Sequence, residues 1–146
     1  MEESDLQQTI AALETSRAQL TALARQEEML RVSLEEYARA RETMVRYAET
    51  PIGTEILVPI GANSFLFANV ADAEKCIVGI GSEVALEDTL ERATDRLDHR
   101  IKQLQEVEEE LIKRISELED RVNSYTVAVQ RGYDRLQAQR GEEAGV

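Results

Sequence analysis

Two long stretches of the chain repeat their apolar residues every seventh position. In the second stretch Leu90, Leu97, Leu104, Leu111 and Leu118 keep strict register, and Tyr125 follows. Ile101, Ile115, Val122, Val129 and Leu136 form a companion series, broken once by Glu108. In the first stretch Leu6, Leu13, Leu20 and Leu34 interleave with Leu23, Leu30, Tyr37 and Met44, and Glu27 and Arg41 interrupt the pattern. Two such series are the a and d positions of a heptad, so the spacing predicts coil-forming helices over 5–48 and 87–131. At ~1.5 Å per residue each would be roughly 66 Å long. Helices of matched length fold back antiparallel most simply, with both termini at one tip and the intervening block at the other. Ser4 and Gln7 have the spacing of a capping box. Thr50-Pro51 stops the first helix, because the residue before proline avoids helical angles. Gly132 falls on the seam, where it is expected to end or loosen the second coil, leaving 132–146 as a loose tail.

Between the helices the pattern changes. Pro51 and Pro59 lie there with Gly53, Gly61, Gly79 and Gly81, whereas 1–50 and 82–131 contain neither residue type. Ile56–Val58 with Ile60, Phe65–Phe67, Cys76–Val78 with Ile80, and Val84–Leu86 read as four short strands. Turn chemistry at Gly61–Ser64 and at Gly81-Ser82 joins them into two hairpins over 54–86. Their apolar residues do not alternate cleanly with polar ones, which predicts burial on both faces. A single helical hairpin covers only one face, and isolated two-stranded hairpins are marginal in water. The block is therefore expected to be an oligomerisation core. Pro59 lacks an amide proton, so its nitrogen should face away from any neighbouring strand.

These elements make an α+β chain, mainly α. It reads as one domain over 1–146, a long antiparallel two-helix coiled coil with two β-hairpins at the end opposite the termini. Composition agrees. Aromatics are 4% of the 146 residues, Trp is absent and charged residues are 32%, which suits a narrow seam better than a compact core. The net charge is -12, and each of the three segments is acidic by itself, which argues against nucleic acid as a partner. Cys76 is the only cysteine, so no intrachain disulfide forms. No apolar run approaches the ~18 residues of a membrane span. The opening "MEESDLQQ" lacks the basic and apolar regions of a signal peptide, and a cytoplasmic location is expected.

The segments "LVPIGANSF" (57–65) and "VGIGSEVALE" (78–87), set between two coil-forming helices, closely resemble the alpha-type subunits of archaeal prefoldin. The resemblance covers nearly the whole chain. It implies an ATP-independent molecular chaperone subunit with no cofactor. In that family two alpha and four beta subunits join through their hairpins, and coiled coils hang from the resulting body. The coil tips capture unfolded proteins and deliver them to a group II chaperonin. By position Ile56, Val58, Ile60, Phe65, Phe67, Ile77, Val78, Val84 and Leu86 would build the body. At the tips Ile10, Val127 and Tyr133 lie off the seam as candidate client contacts. Leu6, Leu13, Val129 and Leu136 would join them if the last turns fray.

No arrangement of residues suggests catalysis, and the chain is not expected to be an enzyme. His99 is the only histidine and sits at an outward position, far from the ligand set a metal needs. Cys76 lies in an apolar strand and reads as a small core side chain. "GIGSEV" (79–84) lacks the third glycine and the lysine of phosphate-binding loops. Acid–base spacings at i,i+4 (Glu27–Arg31, Glu35–Arg39, Glu42–Arg46, Asp88–Arg92, Asp98–Lys102, Glu109–Lys113, Glu110–Arg114, Glu117–Arg121) describe a solvated helix face. The rival reading is a structural or adaptor prefoldin-like coiled-coil subunit of another complex, with the same fold and no client binding.

Overall fold

The computed structural model of the chain describes residues 3–145. In order they form helix α1 (Glu3–Ala48), strands β1 (Glu55–Gly61), β2 (Ser64–Asn69), β3 (Lys75–Gly81) and β4 (Val84–Thr89), and helix α2 (Leu90–Ala144). The fold is mainly helical, with two antiparallel strand pairs between two long helices, as the sequence pattern predicts. Two compact units divide it. A terminal unit holds the residues up to Arg31 and those from Glu106 onward, and a hairpin unit holds Val32–Gln105.

The helix ends differ from expectation in three places. Ser4 lies inside α1, so it does not cap that helix; Glu3 and Asp5 instead place negative charge at its positive end. At the other end the Thr50 amide donates to the Tyr47 carbonyl (3.0 Å) and its hydroxyl to the Arg46 carbonyl (2.8 Å). Those bonds satisfy two of the last carbonyls just before Pro51. Helix α2 starts at Leu90 rather than at 87, because Glu87 and Asp88 are still paired in the β3–β4 ladder. Thr89 then caps the helix, its hydroxyl accepting the Arg92 amide (3.2 Å). The largest correction is the tail: α2 runs straight through Gly132 to Ala144. A glycine costs a helix only ~1 kcal/mol. Gly132 is buried, with seam residues Val129 and Leu136 on either side, and the good helix formers that follow carry the helix on.

In the terminal unit the seam is closed by Leu6, Leu13 and Ser16 of α1 and by Leu111, Leu118 and Gly132 of α2, all buried. Glu27 and Glu108 hold seam positions there and are only half-buried. In the hairpin unit the third interruption, Arg41, reaches across to Asp98 of α2. The expected ladder of i,i+4 pairs is mostly not formed. Among the described residues Glu42–Arg46 (2.7 Å) is made, whereas Asp98 turns to Arg41 and Asp88 to Arg96. Exposed pairs are worth little, so cross-element partners take these carboxylates readily.

The two hairpins are one design used twice, twenty residues apart. Val58 pairs with Leu66 and Val78 with Leu86 in the same register. Each ladder slips by one residue at the same place, between Pro59 and Gly61 and between Gly79 and Gly81, leaving Ile60 and Ile80 as bulge residues. Each is closed at its base by the same bond: the Val70 amide donates to the Thr54 carbonyl (3.0 Å), and the Leu90 amide to the Glu74 carbonyl (2.8 Å). Val70 and Leu90 are buried and, with Ala93, form the core of the hairpin unit. Between the hairpins Asp72 turns the chain, its Oδ1 accepting the amides of Glu74 (2.8 Å) and Lys75 (3.2 Å).

Both turns hold two central residues at positive φ, the tight mirror-image turn that suits twisted strands. They are Ala62 (49°) with Asn63 (55°), and Ser82 (51°) with Glu83 (61°). Only Asn63 is a residue type that visits this region readily, and a left-handed residue with a Cβ costs roughly 1–2 kcal/mol. Replacing Ser82-Glu83 by Asn-Gly is therefore expected to stabilise the chain by about 1 kcal/mol, read as a higher urea midpoint at unchanged slope. Glu108→Leu should also stabilise by about 1 kcal/mol, since full burial of a leucine is worth ~1.5–3 kcal/mol and this seam site is half-buried. A raised thermal midpoint checks it.

Candidate functional site

Cα partners in an antiparallel ladder share a face, so register sorts the hairpin side chains. In the first hairpin Ile56 with Ala68 and Val58 with Leu66 lie on one face; Leu57 with Phe67 and Pro59 with Phe65 lie on the other, above a polar Glu55–Asn69 pair at its base. The first face is half-buried at its base, at Ile56 and Ala68, and opens outward at Val58 and Leu66. The second is uncovered throughout, and Phe67 is 77% exposed. Pro59 is tolerated because a two-stranded pair has free edges.

The second hairpin has different chemistry. Its half-buried face carries Cys76 with Asp88 and Val78 with Leu86. Its other face carries Ile77 with Glu87, Lys75 with Thr89, and Gly79 with Ala85. An ion pair between Lys75 and Glu87 (3.3 Å) crosses this face beside Ile77, which is 75% exposed. The expectation of apolar character on both faces thus holds for the first hairpin and fails for the second. Alternation there was hidden because glycine and alanine stand where large side chains would have shown the period.

Register distributes the expected oligomerisation residues over both faces. Ile56, Val58, Val78 and Leu86 lie on the half-buried faces, and Phe65, Phe67 and Ile77 on the outer ones. Ile60 is a bulge residue and Val84 pairs with Gly81 beside a turn. Ile60, Val84 and Leu86 are exposed. The pattern missed Leu57, Leu66 and Ile80, which are as exposed as their neighbours; equal weight on every strand apolar would have found them.

Asp88 is set into the half-buried face of the second hairpin. Its side chain is nearly buried, Oδ1 accepts the Thr89 amide (2.8 Å), and Oδ2 lies 3.2 Å from the Arg96 guanidinium. It ties the second hairpin to α2. Burial raises the Cys76 thiol above its ordinary pKa, and the facing Asp88 carboxylate pushes it further up.

In the terminal unit the off-seam residues Val127 and Tyr133 are about half exposed, while Ile10 is half-buried. Leu6 and Leu13 are buried in the seam, and Val129 and Leu136 are half-buried. A groove of about 440 Å³ opens between the helices in the same unit. Leu23 and Leu118 contribute its apolar surface, Gln19 and Ala22 line it from α1, and Arg114 and Arg121, with Glu117 between them in sequence, line it from α2. No described helix is long and apolar enough to cross a membrane.

The family model described as "Prefoldin subunit" matches residues 6–135. Prefoldin subunit alpha of Pyrococcus horikoshii is 36% identical over 110 residues, covering 73% of this chain and 72% of that one. Prefoldin subunit alpha of Methanopyrus kandleri is 38% identical over 82 residues, 56% of this chain and 52% of the relative, so the match spans about half of that protein's length. Among solved structures, filamentous PFD from Methanocaldococcus jannaschii superposes with a TM-score of 0.67 at 21% identity, covering 80% of this chain and 97% of the other. At that identity the likeness is one of fold.

The Cys76 environment is directly testable. A raised pKa means less thiolate at mildly alkaline pH, so alkylation by iodoacetamide should be slower than that of an exposed cysteine peptide. Asp88→Asn removes one of the two causes and should speed the reaction. An unchanged rate in that variant would show that the carboxylate has no hold on the thiol.

Proposed function

The chain belongs to the prefoldin family, and we propose that it acts as an alpha-type chaperone subunit that captures unfolded proteins without ATP. Its hairpins join beta-type subunits in a hetero-hexamer of two alpha and four beta chains, in the cytoplasm. The terminal ends of its coil hold apolar segments of unfolded clients, which pass to a group II chaperonin. One observation carries the assembly part of this reading. Leu57, Phe65 and Phe67 form an apolar face that nothing in the chain covers. Burying one such side chain is worth ~1.5–3 kcal/mol, so a partner strand or sheet gains strongly by covering them.

Client contact falls first to Val127, Tyr133 and Ile10, because they are reachable without opening the seam. Leu6, Leu13, Val129 and Leu136 contribute only when the last turns separate. Each contact is weak, and several coils acting on one client add through effective concentration.

An aggregation assay on a chemically denatured enzyme, with a beta-type partner present and ATP absent, tests both parts. The wild-type complex should suppress light scattering. Changing Ile10, Val127 and Tyr133 to Ser should cut suppression several-fold while leaving the hetero-oligomer intact by size-exclusion light scattering. Changing Phe65 and Phe67 to Ser should abolish the oligomer itself. A hetero-oligomer that forms and suppresses nothing would assign the chain to the adaptor role instead.

A further inference from the structure

The terminal unit is net acidic like the rest of the chain, but it contains two stretches free of acid. From Thr15 to Gln26 α1 has no Asp or Glu, and it carries Arg17 and Arg25. From Arg121 to Tyr133 α2 again has no acid, with Arg121 and Arg131. Arg114 and Arg121 line the groove over Leu23 and Leu118, opposite Gln19 and Ala22, which offer no counter-charge. Glu117 is the single acid of that lining. The ion pairs among the described residues use Arg41, Arg46, Lys75 and Arg96 as their cations, so these terminal-unit arginines take part in none of them.

We propose that the terminal coil selects client segments whose apolar core is flanked by acidic residues. This rests on the client-capture reading above and names the class of client. The apolar groove surface, Leu23 and Leu118, takes the core of the segment. Arg114 and Arg121, with Arg17, Arg25 and Arg131 nearby in sequence, attract its flanks. A segment flanked by lysines meets Arg114 and Arg121 at the groove. Like charges at the groove then oppose its docking. Nucleic acid shares the negative charge but offers no aliphatic core to the groove.

The test uses the full-length chain and three fluorescein-labelled peptides that share the core Leu-Val-Phe-Leu-Val. One is flanked by glutamates, one by serines and one by lysines. At about 0.05 M salt the glutamate peptide should bind about tenfold more tightly than the lysine peptide, by fluorescence anisotropy. At about 0.5 M salt the preference should collapse, because screening shortens the reach of exposed charges. The double variant R114E/R121E should reverse the order, and R140E, outside the groove, should leave it unchanged. Circular dichroism confirms that the variants stay helical. Equal binding of all three peptides would overturn the charge selection and leave client capture standing. Binding of none would overturn client capture, and the selection with it. Displacement of the glutamate peptide by single-stranded DNA at equal concentration would overturn the assignment to a peptide.

Discussion

A seam between two helices buries one stripe of side chains per helix and nothing more. That limit governs the rest of this molecule. With Leu6, Leu13, Leu111 and Leu118 in the seam, the helices have spent their apolar surface on each other. In the hairpin unit the buried apolar residues among those described are Val70, Leu90 and Ala93. The outer face of the first hairpin stays bare as a result. Exposed apolar surface that would be a fault in a globular protein is, in the assembly proposed above, the means of finding partners.

The same limit sets the character of the terminal unit. A narrow seam tolerates Ser16 and Gly132 because small residues let two backbones approach, so packing survives where side-chain volume is low. It leaves the positions just off the seam free to carry other chemistry. Val127, Tyr133 and a set of arginines occupy them, in stretches where the chain otherwise avoids acid. Seam and surface are thus separable on these helices, and surface residues can change there with little effect on the fold.

Much of the architecture was legible because heptads and hairpins have strong periods. Five leucines in register define α2, and the paired glycines of "PIGANS" and "GIGSEV" mark the turns. What escaped was decided by single residues acting against a weak rule. Gly132 reads as a helix stop, yet a cost of ~1 kcal/mol is small beside two flanking seam residues. Asp88 reads as the first turn of α2, yet its pairing with Cys76 keeps it in the strand. The i,i+4 acids and bases matched a pattern worth only ~0.2–0.5 kcal/mol, so partners on other elements displaced it. Polar character on one face of the second hairpin was masked by Gly79 and Ala85, which leave no size signal. Most expected oligomerisation residues are exposed and most expected client contacts are not, and which face each hairpin residue takes came only from register. The groove joins residues almost a hundred positions apart and left no mark in the sequence.

In the assembly proposed above, the twenty-residue repetition of the hairpin would give the chain a valence of two with unlike ends. One connector is greasy on both sides; the other bears the Lys75–Glu87 pair on its outer side. A subunit with two identical connectors can be inserted in either direction, and copies of it can string together without limit. Unlike connectors give each subunit a polarity, so neighbours are matched by which hairpin they meet. The two hairpins differ where Leu57, Pro59, Phe65 and Phe67 of the first stand at the register positions of Ile77, Gly79, Ala85 and Glu87 in the second.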